Sequence, residues 1–372
     1  MSKINNRAQV ESASIRLVTP VGIDVSKDKF DVQVLHSSDK NAKNSHKEFS
    51  NAPSGFAKLV RWVEQLNSQL NSQSGLERKP HYCMESTGSY SQALAEFLAE
   101  GDQLVSVVNP YLVKRYGEAS GMLNKNDRAD ALVIAHYCRA EQPSLWYLSR
   151  PEVRALMALV RRLNGLQQNL QQEKNRLQEP GLIKPVIRSI QKTIRFLEKE
   201  IVALKTEIRK HIDKDDGPDG LKESMDLLLS VPGIGETLAT SILAELPDVS
   251  TFKSASSVGA YAGLSPKEHR SGTSVNKKTR ISRKGNAHLR CALFMPALSA
   301  YRHNPLLAEL YERLIKRGMP RKAAVCAVMR KLLMMAYGVL KNRQPFQLDW
   351  VQKQQDERRN KLTHNSLCAT IG

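Results

Sequence analysis

Four carboxylates and a run of hydroxyls carry the residue types that could do chemistry. Asp24 ends the apolar run "VGIDV", Glu85 ends "YCME", and Asp127 and Asp130 lie three apart in "NDRAD". A hydrophobic strand that stops at a carboxylate puts charge at the edge of a buried sheet. Acids three apart at a helix start share a face. Four such groups together repel one another strongly unless a cation neutralises them. Oxygen-only ligands suit Mg2+ or Mn2+. Two such ions, roughly 4 Å apart, clamp the attacking and leaving oxygens of a phosphoryl transfer. Each residue also has an ordinary explanation. Asp24 could merely end a strand, and Asp127 could cap a helix while Asp130 favours its dipole. Asp28 and Asp31 show that acids near strands are not rare here. It is the set of four, in its order along the chain, that favours a metal site.

The second chemical stretch is "KEHRSGTSVNKKTRISRKGNAHLR", residues 267–290, with eight Lys or Arg and one Glu. It holds Ser271, Thr273 and Ser274 around a glycine. A serine beside glycine is ordinarily a turn residue. A free hydroxyl is a weak nucleophile that needs a base or a metal. On chemistry alone the three hydroxyls are near equals, and neither His269 nor His288 announces itself as a base. Arg270, Lys277, Lys278, Arg280, Arg283 and Lys284 could stabilise the developing charge on a phosphate. Plain backbone contact to nucleic acid is the commoner role for such residues.

The elements that must position these groups can be read from the pattern. Residues 21–25, 30–37 and 47–51 read as strands, the first two as a hairpin. "GFAKLVRWVEQL" has helical spacing. "HYCMEST" and "QLVSVVNP" read as strands, the latter halted by Pro110, with "SYSQALAEFLAEG" a helix between them. Two helices follow, "YLVKRYGEA" and "NDRADALVIAHYCRAEQ". The expectation is a mixed sheet covered by helices, an α/β domain over residues 19–148 behind a polar tail at 1–18.

From 149 to 216 the character changes. Leu156, Leu159, Leu163, Leu166 and Leu170 recur in steps of three and four, as do Ile190, Ile194, Leu197, Ile201, Leu204 and Ile208. These are the seams of two long helices, expected to form a coiled-coil arm, with two amphipathic helices packed on the domain as the alternative. "DKDDGPDG" is a linker. Residues 221–345 read as mainly α. There "VPGIG" between apolar helices makes a helix-hairpin-helix, with Gly233 and Gly235 bringing amides to a phosphate. A glycine turn with no ligand is the alternative. Met329, Met334 and Met335 are expected core fillers, and residues 346–372 a loose tail.

Composition bounds the partners. The formal charge is +19, and residues 265–345 hold 18 Lys and Arg against 3 Asp and Glu. Charge concentrated in this way points to nucleic acid. Five scattered cysteines (Cys83, Cys138, Cys291, Cys326, Cys368) include no CxxC, so neither a disulfide framework nor a zinc site is expected. No apolar run is expected to span a membrane and no signal peptide is apparent, which favours a reduced, cytoplasmic location.

"GIDVSKDKFDV", "CMESTGSY", "NP…LNKNDRADA" and "LLLSVPGIG…AYAGLSP…SGTSV…RKGNAHLRCALFMPA" resemble the DEDD transposases of the IS one-ten family of insertion sequences. That group includes Piv-type DNA invertases and bridge-RNA-guided recombinases. The resemblance spans residues 20–345. It implies a RuvC-like domain of RNase H fold, with Asp24, Glu85, Asp127 and Asp130 as a metal-binding tetrad. It also implies a C-terminal transposase domain with Ser271 as nucleophile. It further implies a bridge RNA that pairs with target and donor DNA, and a tetramer whose active sites combine domains of different subunits. Two other readings remain: a RuvC-like nuclease for branched DNA acting through water, and a non-catalytic nucleic-acid scaffold.

Overall fold

The structure, a computed structural model, describes residues 18–36, 44–86, 88–122, 126–271 and 275–348; for Ser89, 268–271 and 275–279 it describes the backbone alone. The expected tails at 1–18 and 346–372 lie almost wholly outside the described residues. The chain divides into two compact units, 1–148 and 149–372.

The first unit follows the expected alternation. Its elements are β1 (Val18–Val25), β2 (Lys29–Val34), β3 (Ser45–Ser50), α1 (Pro53–Ser74), β4 (Lys79–Glu85), α2 (Ser89–Glu100), β5 (Leu104–Val108), α3 (Pro110–Ala119) and α4 (Asp127–Glu141). The sheet order is β3-β2-β1-β4-β5. The first three strands pair antiparallel, and β4 and β5 run parallel to β1. Side chains alternate across a sheet, and here each face carries its own core. Ile23, Phe30, Tyr82 and Met84 pack under α1 and α2. Cys83 packs with Val133, Ile134 and Cys138 of α4 on the other face.

The second unit contains α5 (Pro151–Arg176), α6 (Lys184–Lys214), α7 (Leu221–Leu229), α8 (Glu236–Glu245), α9 (Ala255–Tyr261), β6 (Pro266–Ser271), β7 (Val275–Ile281), α10 (Ala287–His303), α11 (Pro305–Lys316) and α12 (Arg321–Asn342). The seams of α5 and α6 do face each other. Leu166, Leu197 and Ile201 form a small core of their own, while Leu156, Val160, Ile208 and Ile212 enter the main core with Leu228, Leu238 and Leu332. Low α5 numbers meet high α6 numbers, so the two helices are antiparallel. Met329 and Met335 are buried as expected.

Two expectations are corrected here. α12 is long and apolar enough by composition to cross a membrane, with a mean hydropathy of 1.6 over its best window. It is the central helix of the second core, with Val328, Leu332, Leu333 and Ala336 wholly buried. The basic stretch, in a region read as mainly α, contains a two-stranded antiparallel ladder of β6 and β7, irregular between Lys267 and His269.

Candidate active site

The carboxylates are placed by register and by one close helix contact. Ile23 of β1 pairs with Met84 of β4, so Asp24 and Glu85, the next residues, lie side by side on one face at the C-terminal ends of adjacent parallel strands, Asp24 one residue before the end of β1. That is the face of α4. A Cβ on Gly22 would lie 2.2 Å from the Ala131 carbonyl oxygen and 2.3 Å from the Ala135 nitrogen, so only glycine lets the helix come so near. The approach brings the first turn of α4 over Asp24. Asn126 caps that helix, its side chain accepting from the Ala129 amide at 2.8 Å. The cap is therefore Asn126 and not Asp127, which leaves Asp127 and Asp130 in the first turn without that structural duty.

Electrostatics records the proximity. Burial, then Asp130, Asp127 and Asp31, raise Asp24 to about 6. Burial, then Asp24 and Asp130, raise Glu85 to about 7. Asp24 is thus the hub of the four. Asp31, opposite Asp24 on β2, is buried and bonded to His46 Nε2 at 2.7 Å. Asp127 is exposed, and its carboxylate lies 3.9 Å from Lys29 Nζ, which also holds Glu48 at 2.5 Å. Among the described residues no three carboxylate, imidazole or thiol groups close tightly enough to hold an ion as they stand. The donor set nevertheless suits a hard divalent cation: oxygen ligands only, half-buried, with mutual repulsion that such a charge would relieve.

In the second unit, Ser271 is the last residue of β6, its backbone opposite Val275. Gly272, Thr273 and Ser274 lie outside the described residues, as do the side chains of Arg270, Ser271, Lys277 and Lys278. Arg280, Arg283 and Lys284 are exposed. The root of the ladder is tied down by backbone bonds, from Ser282 to Ser265, Arg283 to Gly263 and Asn286 to Tyr261. Arg283 takes a left-handed φ of 54° within this knot. Beneath it sits a buried polar cluster. Glu245 accepts from Arg161 at 2.8 and 3.0 Å and from Asn286 at 2.8 Å, and its main-chain oxygen accepts from Tyr261 at 3.2 Å. Burial pushes Glu245 up, but the bonds from Arg161 and Asn286 outweigh it and hold the carboxyl below its usual range.

The glycines of "VPGIG" part company. Gly233 has φ 99°, and a Cβ there would meet that of Ala300 at 2.5 Å, so its need for glycine comes from packing on α10. Gly235 is exposed at the start of α8, with open space around it.

Comparison with known proteins joins the two units. A DEDD transposase family of the IS110 type matches residues 21–180, and the family "Transposase IS116/IS110/IS902" matches residues 225–312. The chain is 30% identical to the "Pilin gene-inverting protein" of Moraxella bovis over 88% of its own length and 97% of that protein. The chain belongs to the IS110 family of transposases. It is also 27% identical to the "Transposase for insertion sequence element IS1111A" of Coxiella burnetii, over 66% of this chain and 73% of that one.

As a transposase it is an enzyme that cleaves and rejoins DNA, and the non-catalytic scaffold reading falls. The first family match spans all four carboxylates of the transposase, and the second spans Gly233, Gly235 and Ser271. Sequence reasoning passed over Gly22, Lys29, Asn126 and the Glu245 cluster, and took Asp31 for an ordinary acid near a strand. A lone glycine inside a strand signals close backbone approach and could have exposed Gly22. The Glu245 cluster joins residues 161, 245, 261 and 286, and no local pattern carries it.

Proposed function

We propose that this transposase is a RuvC-like, metal-dependent recombinase that exchanges DNA strands through a serine ester. The coupling of Asp24, Glu85 and Asp130 at the edge of the sheet carries the reading. Carboxylates so crowded are costly, and a protein keeps them where a cation or a reaction uses the charge. Asp24, Glu85, Asp127 and Asp130 would hold Mg2+ or Mn2+, which supplies charge stabilisation at the phosphate. Ser271 Oγ loses its proton and forms the new bond to phosphorus while the bond to the leaving deoxyribose oxygen breaks and that oxygen takes up a proton, so no net proton is gained or lost. One ester replaces another, so rejoining to an incoming hydroxyl needs no ATP. The exposed Arg280, Arg283 and Lys284 neutralise phosphate charge, with Arg270, Lys277 and Lys278 assigned the same role from the sequence. Gly235, open at a helix start, is the better placed of the two glycines to approach a phosphate. Guidance by a bridge RNA, an inter-subunit coiled coil and a tetramer belong to the reading through the family resemblance alone.

The test is recombination of a donor and target pair with candidate flanking RNA. Asp24→Asn, Glu85→Gln, Asp127→Asn and Asp130→Asn should each lower product at least a hundredfold while DNA binding persists. Ser271→Ala should bind DNA yet give no covalent adduct on a suicide substrate, whereas Ser274→Ala keeps activity. Wild-type recombination by the Asp130 or the Ser271 variant would refute that half of the proposal.

A further inference from the structure

The first unit has a second candidate site, on the sheet face opposite the carboxylates. β3 is an edge strand. Between it and α1 lies an open groove of about 520 Å³, lined among others by Lys47, Phe49, Lys58, Arg61, Trp62 and Gln65. Its wall is aromatic: the rings of Phe49 and Trp62 stand 5.6 Å apart at 59°. Its rim is cationic. Lys47 Nζ lies 5.5 Å from the Phe49 ring and 6.0 Å from that of Trp62. Lys58 is one helical turn before Trp62, so both point from one side of α1. Arg61 donates its Nε to the Ala57 carbonyl of its own helix. The acid between Lys47 and Phe49 on β3, Glu48, points to the opposite face, where Lys29 engages it.

We propose that this groove binds an unpaired nucleotide of single-stranded DNA, with the base on Trp62 and the flanking phosphates on Lys47, Lys58 and Arg61. A flat π-surface ringed by cations fits a base with phosphate on either side, and only an unpaired base offers its face. DNA follows from the family, since an enzyme that cuts and rejoins duplex strands exposes unpaired nucleotides beside the cut. The groove is also linked to the carboxylates. Glu48, between Lys47 and Phe49 on β3, points to the carboxylate face and holds Lys29, whose amine lies 3.9 Å from Asp127. A strand leaving the groove around the sheet edge therefore reaches the candidate active site. The proposal rests on the transposase assignment and needs neither the metal nor the serine.

The experiment is fluorescence anisotropy of the full chain with labelled single-stranded DNA, RNA of the same sequence, and duplex. Affinities are compared at about 0.3 M salt to screen distant charges, and a salt series around that value gives the slope. Trp62→Ala should weaken single-stranded DNA binding about tenfold, and Trp62→Phe should keep most of it. Lys58→Glu, on an exposed site that leaves the fold intact by circular dichroism, should weaken it severalfold and flatten its salt dependence by about one unit of slope. Duplex affinity should not change. Three results would overturn the proposal: wild-type binding by both Trp62→Ala and Lys58→Glu, an equal loss on duplex, or a loss confined to RNA. Binding is read here without cleavage, so failure would leave the carboxylate reading standing.

Discussion

The carboxylate edge and the serine ladder are held in opposite ways. Asp24 and Glu85 continue strands whose preceding residues are wholly buried, and α4 sits against them backbone to backbone. Ser271 ends a two-stranded ladder whose ties are at its root, through residues 261–265, 282–286 and the Glu245 cluster. The first arrangement fixes charges whose mutual distances matter. The second fixes the root of a ladder at whose far end the backbone of Ser271 lies. Precise electrostatics needs rigid, buried support, and the sheet supplies it at a cost in repulsion that the second unit does not bear.

The largest expected effect comes from closing the gap under α4. Gly22→Ala forces backbone apart and should destabilise the first unit by about 3 kcal/mol or more. Unfolding monitored by hydrogen exchange should show the loss in residues 18–141 and leave the second unit at wild-type stability. Gly285→Ala is the matched change at the root of the ladder, where a Cβ would lie 2.2 Å from the Tyr261 oxygen at φ 150°. It should abolish recombination with its stability loss confined to the second unit. If both variants weakened both units equally, the contrast between two separately supported sites would fail.

How much of this was legible depended on what built each element. In the first unit, apolar side chains recur at the period of the element they form, and each strand and helix from Val18 to Glu141 was anticipated within a few residues, except that α1 runs on past the pattern to Ser74. The seams of α5 and α6 were legible for the same reason. The ladder was not, because "PKEHRS" and "VNKKTRI" have no alternating apolar face. Backbone pairing builds it, and side-chain pattern does not record backbone pairing. Asn126 outcompeted Asp127 for the cap because both are good cap residues and only geometry chooses. Gly233 was read for a phosphate, and the structure adds a packing demand the pattern did not show, Ala300, 67 residues on.

A smaller effect should come from Arg161→Ala, which leaves Glu245 buried with one partner fewer. The expected loss is about 2 kcal/mol, at the low end for breaking a buried pair because Arg161 keeps contact with solvent. Glu245 is held below its usual range, so its contribution is complete above the ordinary glutamate value near 4.5 and is lost as pH falls through the depressed one. The gap between variant and wild type should therefore be full at pH 7 and shrink on strong acidification. An Arg161→Ala, Glu245→Gln double variant should recover part of the loss. A gap that did not change with pH would assign the cost to packing of the arginine stem.

The smallest effect has the opposite sign, and it separates the two regions most sharply. Asp24 and Glu85 titrate near 6 and 7 in the folded chain against ordinary values of 3.8 and 4.5. The native state therefore holds more protons than the unfolded state between about pH 4 and pH 7. Their contribution favours folding at the acid end of that window and fades as pH rises through the folded values. Asp24→Asn and Glu85→Gln should then stabilise the metal-free protein at pH 7.5, by about 1 kcal/mol after discounting for solvent around half-exposed groups. The same changes should eliminate recombination, so a higher melting temperature accompanies a dead enzyme. A divalent cation should do for the wild type what amidation does for the variants. Mg2+ should raise the wild-type melting temperature at pH 7.5, less at pH 5.5 where protons compete for the same oxygens, and not at all in Asp24→Asn. Scanning calorimetry across those conditions reads all three. Equal stabilisation of wild type and Asp24→Asn by Mg2+ would place the ion elsewhere, and a destabilised Glu85→Gln would show that the carboxylate is retained for the fold instead of the chemistry.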